Sequence, residues 1–261
     1  MLKPTTLAQV AWRSLFLEAS WNNQSQQNLG LAAAVDPALQ EIYPAAGDLQ
    51  SARMRCFDFF NTNPILSGMA IGVLLKLEQD LAAGLMTADQ RIRMANSLNR
   101  SLATLGDAFF WQSWLPLCCL ITVWAVLSLE TVWWLPLLLP VLFGLLAAPA
   151  RFGGLYLSYR QGENIVNLLC RLKLPQAAQA IRKLTALLVG VSTVVLTHLS
   201  QREHHGGVPL GRLWLVIFLV AAGVILFRLP LLRNRQLDYW YPVILVALAT
   251  AILCVWHHGL P

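Results

Sequence analysis

Three polar stretches in the first half of the chain carry residues that could bind a neutral ligand. Residues 20–28 form an uncharged, amide-rich run, residues 59–64 read FFNTNP, and Asp107 stands immediately ahead of Ala108 and an aromatic triplet. Amides supply hydrogen-bond donors and acceptors together, as a polyhydroxylated ligand requires. The indole face of Trp21 could stack on a sugar ring, and an acidic group at membrane depth is a functional candidate by default.

A purely structural role explains the same residues. Asparagine and aspartate are favoured at helix N-termini, where the side-chain oxygen accepts a hydrogen bond from a free backbone amide. Asn22 and Asn61 could cap helices in this way, and Asp107 could cap a helix that begins at Ala108. The residue types alone leave both interpretations open.

The sequence lacks the common catalytic motifs. It has no Walker A loop, no GxGxxG after a strand, no CxxC pair and no HExxH. Adjacent histidines on a helix point about 100° apart, so an interfacial role is favoured over a ligand or proton role for His198, His204, His205, His257 and His258. The five cysteines have no framework spacing and are interpreted as small hydrophobic residues: Cys56, Cys118, Cys119, Cys170 and Cys254. We expect no catalytic residue, no metal and no cofactor.

The second half of the chain has the composition of a membrane protein. Of the 261 residues, 57% are hydrophobic and only 12% are charged, whereas soluble domains carry roughly 25% charged residues. A helix needs about 20 mainly apolar residues to cross the hydrocarbon core. Five segments approach or meet this length: Trp114–Leu129, Val132–Ala150, Leu184–Leu199, Leu213–Leu232 and Tyr239–Trp256. We therefore expect two regions: an amphipathic and re-entrant region, 1–113, which holds the candidate binding residues and is the substrate side, and a transmembrane helical region, 114–261.

Basic residues lie mostly between these apolar segments, which indicates membrane topology rather than nucleic-acid binding despite a net charge of +6. They are dense in residues 151–183 and again in 228–235, whereas the turn near Glu130 has none. This alternation favours an N-terminus inside the cell and a C-terminus outside. Residues 1–9 lack a basic stretch followed by an apolar run, so no secretory signal is expected.

Shorter elements precede the first predicted span. Ile65–Leu77 is apolar but only about 13 residues long, so it is too short to span and is expected to be re-entrant or buried. Apolar residues recur at helical spacing in Ala8–Ala19 and in Ala88–Leu105, which predicts amphipathic helices on the membrane or against a partner. The predicted fold is an all-α membrane protein, with amphipathic and re-entrant helices followed by about five transmembrane helices.

The polar stretches, taken in order, are similar to the motifs of a known family. SWN at 20–22, FFNTNP at 59–64 and GDAFFW at 106–111 resemble those of the IID membrane subunit of the mannose/fructose/sorbose family of the bacterial sugar phosphotransferase system. Further matching stretches are Trp12-Arg13-Ser14, Gln27–Gly30, Pro37-Ala38-Leu39, Tyr43-Pro44, Leu77-Glu78 and parts of 151–167. The resemblance covers most of the chain, although the final spans match only in character.

The resemblance implies a role in a transport complex of the bacterial inner membrane. Subunits of this family pair with a IIC membrane subunit, as a trimer of IIC–IID pairs, while cytoplasmic IIA and IIB components relay a phosphoryl group to the incoming hexose. The IID subunit itself carries no phosphorylated residue. If this chain contributes to sugar binding, the matching motif positions are the candidates: Trp21, Asn22, Gln27, Asn61, Asn63 and Asp107.

Two departures from the family pattern qualify this expectation. The family usually reads GPLAGxGD where this chain has RSLATLGD at 100–107, so two glycines and one proline are replaced and a kinked backbone is expected to be straighter. A proline that is common shortly after the FFNTxP motif is Met69 here. These changes motivate an alternative, a degenerate IID paralogue with a regulatory or scaffolding role and no sugar transport.

Overall fold

The computed structural model describes residues 1–128 and 134–203, and this part of the chain is helical. Its α-helices are α1 Pro4–Ser14, α2 Asn28–Ile42, α3 Ala46–Cys56, α4 Ser67–Ala82, α5 Ala88–Gly106, α6 Leu115–Ser128, α7 Leu138–Ala148, α8 Gly154–Gln161, α9 Ile165–Arg171 and α10 Leu174–Glu203. Short π or 3₁₀ segments join several of them: Asp107–Trp114, Leu135–Leu137, Pro149–Gly153 and Gly162–Asn164. Strands are absent from the described residues, as the predicted all-α class requires.

Helix α4 forms the centre of the core. Every residue from Ser67 to Leu75 is buried, because α1, α2, α5 and α8 all pack against this helix. The approach of α8 is so close that a Cβ on Gly72 would overlap the Leu155 carbonyl group. The short apolar segment predicted at Ile65–Leu77 is therefore a buried core helix, which was one of its two predicted forms.

Helix α1 is amphipathic. Pro4 occupies its first position, where a missing N–H costs no hydrogen bond. Leu7 and Val10 are buried on one face of the helix, whereas Trp12 on the other face is 66% exposed, and Phe16 in the turns that follow the helix is 60% exposed. The helix ends at Ser14, five residues before the predicted end at Ala19, and turns follow it.

Helix α5 begins with a capping box, in which Thr87 and Gln90 exchange side-chain and backbone hydrogen bonds. It continues through the π-helical segment into α6, which gives one candidate membrane span over Ala88–Val126. The amphipathic helix predicted at Ala88–Leu105 and the span predicted at Trp114–Leu129 are therefore parts of one continuous helix. We call this helix, Ala88–Val126, the rod. The helix itself begins well before the change in composition at Trp114, because backbone hydrogen bonding does not stop where composition changes; the start of the membrane span at Trp114 stays a prediction.

A second candidate span covers Leu135–Gln161, longer than the predicted segment Val132–Ala150. The predicted span Leu184–Leu199 falls within α10, a 30-residue helix that is not one of the two candidates. The segments Leu213–Leu232 and Tyr239–Trp256 lie outside the described residues. The number of about five spans stays a prediction.

The chain divides into two compact units, Met1–Val189 and Gly190–Pro261. The first unit holds all the residues predicted to bind substrate. In the second unit, the described residues are the end of α10. The compositional boundary predicted between residues 113 and 114 lies inside the helical rod, so the separate roles assigned to 1–113 and 114–261 stay a prediction.

Candidate functional site

Two loops lie side by side and carry most of the predicted binding residues. Residues 15–27 connect α1 to α2, and residues 57–66 connect α3 to α4; we call them the loop pair. The Gln27 side chain joins them, since its Nε2 donates to the Thr62 carbonyl oxygen over 2.9 Å and its Oε1 accepts from the Thr62 amide over 3.0 Å. The Gln27 amide also donates to the Phe60 carbonyl oxygen over 2.9 Å. Gln27 is only 3% exposed, so its side chain holds the loops together from inside.

Asn22 stabilises a tight turn in the first loop. Its Oδ1 accepts from the Ser25 amide over 2.8 Å, and its Nδ2 donates to the Gln26 carbonyl oxygen and to Asn28 Oδ1 over 3.3 and 3.1 Å. Gln26 has a left-handed φ of 59°, which this turn requires. Asn28 in turn donates from Nδ2 to the Phe57 carbonyl oxygen over 2.7 Å. The capping interpretation is wrong for Asn22, because its hydrogen bonds close a turn and not a helix end.

Asn63 connects the second loop to the start of the π-helical segment. Its Nδ2 donates to Asp107 Oδ1 over 2.8 Å, and its Oδ1 accepts from the Ile65 amide over 2.9 Å. The two chain segments are so close that a Cβ on Gly106 would overlap the Asn63 side chain. Asp107 has helical φ and ψ of −63° and −45° within the continuous rod. It does not cap a helix at Ala108; its carboxylate faces Asn63 instead.

The π-helical segment that begins at Asp107 is held by a side chain of α10. Ser113 Oγ donates to the Ala108 carbonyl oxygen over 2.6 Å, and Arg182 Nη1 donates to both of these oxygens, over 3.2 Å to Ser113 and 3.3 Å to Ala108. The wider π turn leaves carbonyl groups without ideal partners, and such segments recur at functional sites. Arg182 therefore helps to fix the backbone that carries Asp107.

Arg151 is a further residue of this site, and sequence reasoning treated it only as a topology signal. From the second candidate span, its Nη1 donates to the Pro64 carbonyl oxygen over 2.7 Å and its Nη2 to the Ser14 carbonyl oxygen. Nearby, Glu18 Oε1 accepts from Gln27 Nε2 over 2.6 Å. Partial burial raises the pKa of the Glu18 carboxyl, opposed by the Gln27 hydrogen bond and the Arg151 charge. The position of Arg151 within a long apolar helix was the available signal.

The predicted residues fall into two groups: those whose buried side chains stabilise the loops, and those whose side chains are exposed. Gln27 and Asn63 are buried and Asn22 is half-buried, so their amides serve the fold. Trp21, Asn61 and Asp107 are exposed. Asn61 precedes α4 without capping it, since the N-cap position is Leu66 and has no side-chain cap. The exposed side chains are accessible to a ligand, and they offer an indole face, an amide and a carboxylate on a backbone that the buried amides hold in place.

A second polar cluster lies inside the core, and we call it the ion cluster: Tyr43, Arg55, Glu78 and Arg91. Glu78 is fully buried on α4, and its carboxylate lies 2.6 Å from Arg55 Nη2 and 2.8 Å from Arg91 Nη2. The Tyr43 hydroxyl donates to Glu78 Oε2 over 2.8 Å. Burial and the Glu78 charge raise the pKa of Tyr43. Sequence reasoning missed this cluster, since Arg55, Glu78 and Arg91 lie on three different helices, Tyr43 follows the end of α2, and the four share no spacing.

Cys56 borders the ion cluster and is fully buried. Burial raises the pKa of its thiol to about 12, with the positive charges of Arg91 and Arg55 opposing the shift and Glu78 adding to it. Among the described residues, no group of three or more His, Cys, Asp or Glu side chains could hold a metal ion. The histidine pairs at 204–205 and 257–258 lie outside those residues.

Comparison with known proteins connects these features to a family. The mannose-specific EIID component of the phosphotransferase system from Escherichia coli K12 is 31% identical over 156 residues, which cover 59% of this chain and 54% of that protein. The sorbose-specific EIID component from Klebsiella pneumoniae is also 31% identical over 156 residues, covering 59% and 56%. The chain thus spans about half the length of the curated relatives it matches.

A solved structure is also similar. The cryo-electron microscopy structure of the mannose transporter ManYZ in complex with microcin E492 matches with a TM-score of 0.58 and 28% identity, covering 74% of this chain and 70% of the matched one. This match and the two apolar helices support a membrane location. The family model for the mannose/fructose/sorbose family IID component matches residues 1–259. The chain belongs to this family of phosphotransferase-system IID components.

Proposed function

We propose that this chain is the IID subunit of a membrane complex that binds a hexose and moves it across the bilayer while a IIB component phosphorylates it. The observation that carries the proposal is the loop pair, in which buried Gln27 and Asn63 brace a backbone that presents Trp21, Asn61 and Asp107. Two contacts between family motif positions support the proposal, those of Gln27 with Thr62 and of Asn63 with Asp107. Its relatives are named as mannose- and sorbose-specific components.

The exposed groups suit a neutral sugar. The Asn61 amide can donate to one hydroxyl and accept from another, and the second carboxylate oxygen of Asp107 remains available beside the one that accepts from Asn63. The Trp21 ring, 49% exposed, can stack on the apolar face of a pyranose. None of these groups is a nucleophile activated by an adjacent base, so we assign phosphoryl transfer to the partner components.

The proposal includes the partners and the topology of the complex. The membrane partner is a IIC subunit, in a trimer of IIC–IID pairs, and the phosphoryl group arrives through IIA and IIB. The N-terminus lies on the cytoplasmic side of the inner membrane. Exposed apolar residues of α1 and of the loop pair supply surface for contact with the partner or with lipid: Trp12, Phe16, Trp21, Phe57 and Phe59.

Uptake by vesicles tests the transport role. Vesicles that contain the chain with its IIC partner, given IIA, IIB and a phosphoryl donor, should accumulate labelled hexose phosphate. Asn61→Ala and Trp21→Ala should each lower uptake about tenfold at hexose concentrations below saturation, while the variant chains still copurify with IIC. Normal uptake by both variants would remove the two residues from the site. A stable, monomeric chain that never associates with IIC would refute the assembly.

A degenerate paralogue with a scaffolding role is the second candidate. It is favoured by α5, which runs as an uninterrupted α-helix through residues 100–105, where the family has glycines and a proline. Leu102 is fully buried there, so the straight helix is part of the packed core. A scaffold would assemble with IIC but support no uptake. Restoring glycine at Thr104 should not then produce transport.

A further inference from the structure

An apolar groove of about 660 Å³ lies between α4, α5, α9 and the start of α10. Aliphatic side chains form its walls: Val73, Leu77, Leu98, Leu105, Ile165 and Leu169. Its size is within the range of sites that bind small molecules. The groove shares no lining residue with the loop pair or with the ion cluster, so neither of them accounts for it.

The rim of the groove is basic. Among the described residues, Lys173 is the only charged residue that lines the groove, and its ammonium group has no acidic partner there. Residues 90–106 and 165–183, which supply most of the lining, contain no acidic residue at all. A ligand that enters here meets positive charge beside an apolar channel.

The backbone at Lys173 is held in an uncommon conformation. Its φ is +46°, a left-handed value that costs a residue with a side chain free energy unless the surroundings impose it. The residue forms the turn between α9 and α10, where its carbonyl oxygen accepts from the Gln176 and Ala177 amides. The turn thereby places a lysine at the open end of the groove.

The groove also lies beside a candidate membrane span. Its α5 wall belongs to the rod Ala88–Val126 and comes just before the most apolar part of that rod. Basic residues at such a position attract anionic head groups, and apolar grooves between helices accept acyl chains. We propose that the groove binds an anionic phospholipid, with an acyl chain between α5 and α9 and the phosphate beside Lys173.

Native mass spectrometry of the full chain, purified from membranes in detergent, tests this proposal. The probes are phosphatidylglycerol and phosphatidylcholine with identical acyl chains. Lys173→Asn keeps a residue that tolerates positive φ and should weaken phosphatidylglycerol binding about fivefold, the contribution of one basic residue near an anionic surface. Arg171→Gln removes an exposed charge that does not line the groove and should bind as the unmodified chain does.

A second pair of variants tests the apolar part. Ser101→Trp should fill the groove and abolish binding of phosphatidylglycerol, whereas Thr104→Trp, exposed on the same helix but outside the lining, should not. The proposal is overturned if both lipids bind equally, if Lys173→Asn binds fully, or if Ser101→Trp retains the lipid. A photo-crosslinker at residue 101 that captures a protein chain and no lipid would also overturn it.

Discussion

The loop pair and the ion cluster are both polar, but they differ in how far their polar side chains are buried and paired. In the ion cluster, Glu78 is fully buried, and two guanidinium groups and a phenol surround its carboxylate. In the loop pair, buried Gln27 and Asn63 have backbone partners, while neighbouring polar groups remain exposed. A buried carboxylate that is paired with guanidinium groups destabilises the fold when it is removed, whereas a polar group left exposed on a rigid support can bind a ligand. We therefore expect changes in the ion cluster to affect stability and changes at the exposed groups of the loop pair to affect binding.

The largest effect is expected at the centre of the ion cluster. Glu78→Gln removes the carboxylate and leaves two buried guanidinium groups without their counter-charge. Breaking a buried pair in this way costs about 3–5 kcal/mol, so the thermal unfolding midpoint of the purified chain should fall by roughly 10 °C.

Asp80→Asn is the matched control for Glu78→Gln. It breaks an ion pair with Lys76 one turn away, in which the two side chains are 21% and 36% exposed. Such i,i+4 pairs contribute only about 0.3–0.5 kcal/mol. Equal midpoints for the two variants would show that the buried cluster is not what stabilises the core.

A smaller loss of stability is expected from a change at Gly106, where the loop pair contacts the rod. Gly106→Ala places a methyl group against the Asn63 side chain, and overpacking of this kind costs about 1–3 kcal/mol. The Asn63–Asp107 hydrogen bond should break, which would lower hexose uptake as well as the unfolding midpoint.

Gly144→Ala supplies the control for the Gly106 variant. No atom of the described chain lies within 4 Å of a Cβ built there, and alanine favours the helix by about 1 kcal/mol over glycine. The control should be neutral or more stable. A Gly106 variant that behaved like Gly144→Ala would contradict the close packing of Asn63 against the rod.

Gln27→Ala should lower the free energy of unfolding by as much as Gly106→Ala does or by less. It should, however, clearly loosen the loop at residues 57–66. It leaves the buried Thr62 amide and carbonyl groups without the side chain that pairs with them, a loss of about 1–3 kcal/mol. Hydrogen exchange of residues 57–66 should accelerate. Gln24→Ala, an exposed amide in the same loop, should leave that exchange unchanged; equal exchange in both variants would separate Gln27 from loop stability.

The smallest expected effect concerns the rate at which a reagent labels Cys56, which borders the ion cluster. Because burial raises the pKa of Cys56 to about 12, its thiol stays protonated at pH 7–9 and out of contact with water, and the thiolate is the reactive form. In single-cysteine variants, Cys56 should react with a charged maleimide far more slowly than exposed Cys170. Similar rates would mean that water reaches the cluster.

Sequence patterns predicted the features that depend on local chemistry. The apolar segment at Ile65–Leu77 was long enough for a buried helix and too short for a span, and it forms the core helix α4. The motif residues Asn63 and Asp107 are hydrogen-bonded to each other, and Gln27 is hydrogen-bonded to Thr62 beside Asn63, although the sequence motifs carried no statement about these contacts.

Features that depend on long-range packing could not be predicted. The ion cluster joins residues of three helices with Tyr43, which follows the end of α2, and no periodicity connects Tyr43 with Glu78, 35 positions away. Arg151 reaches Ser14 across 137 positions. Hydropathy also gave no sign that the helix carrying the first span begins at Ala88, because hydropathy depends on side chains and not on the backbone hydrogen bonds that continue α5 through the π segment. Motif membership likewise did not distinguish buried Gln27 from exposed Asn61.

Equilibrium binding of labelled hexose to the purified IIC–IID complex tests the central claim most directly. Asn61→Ala removes one exposed amide and should weaken binding about tenfold, the effect of one lost hydrogen bond to the ligand, without changing the unfolding midpoint. Gln50→Ala, an exposed amide on α3, should leave binding unchanged. Full affinity in an intact Asn61→Ala complex would contradict recognition of the sugar by the loop pair.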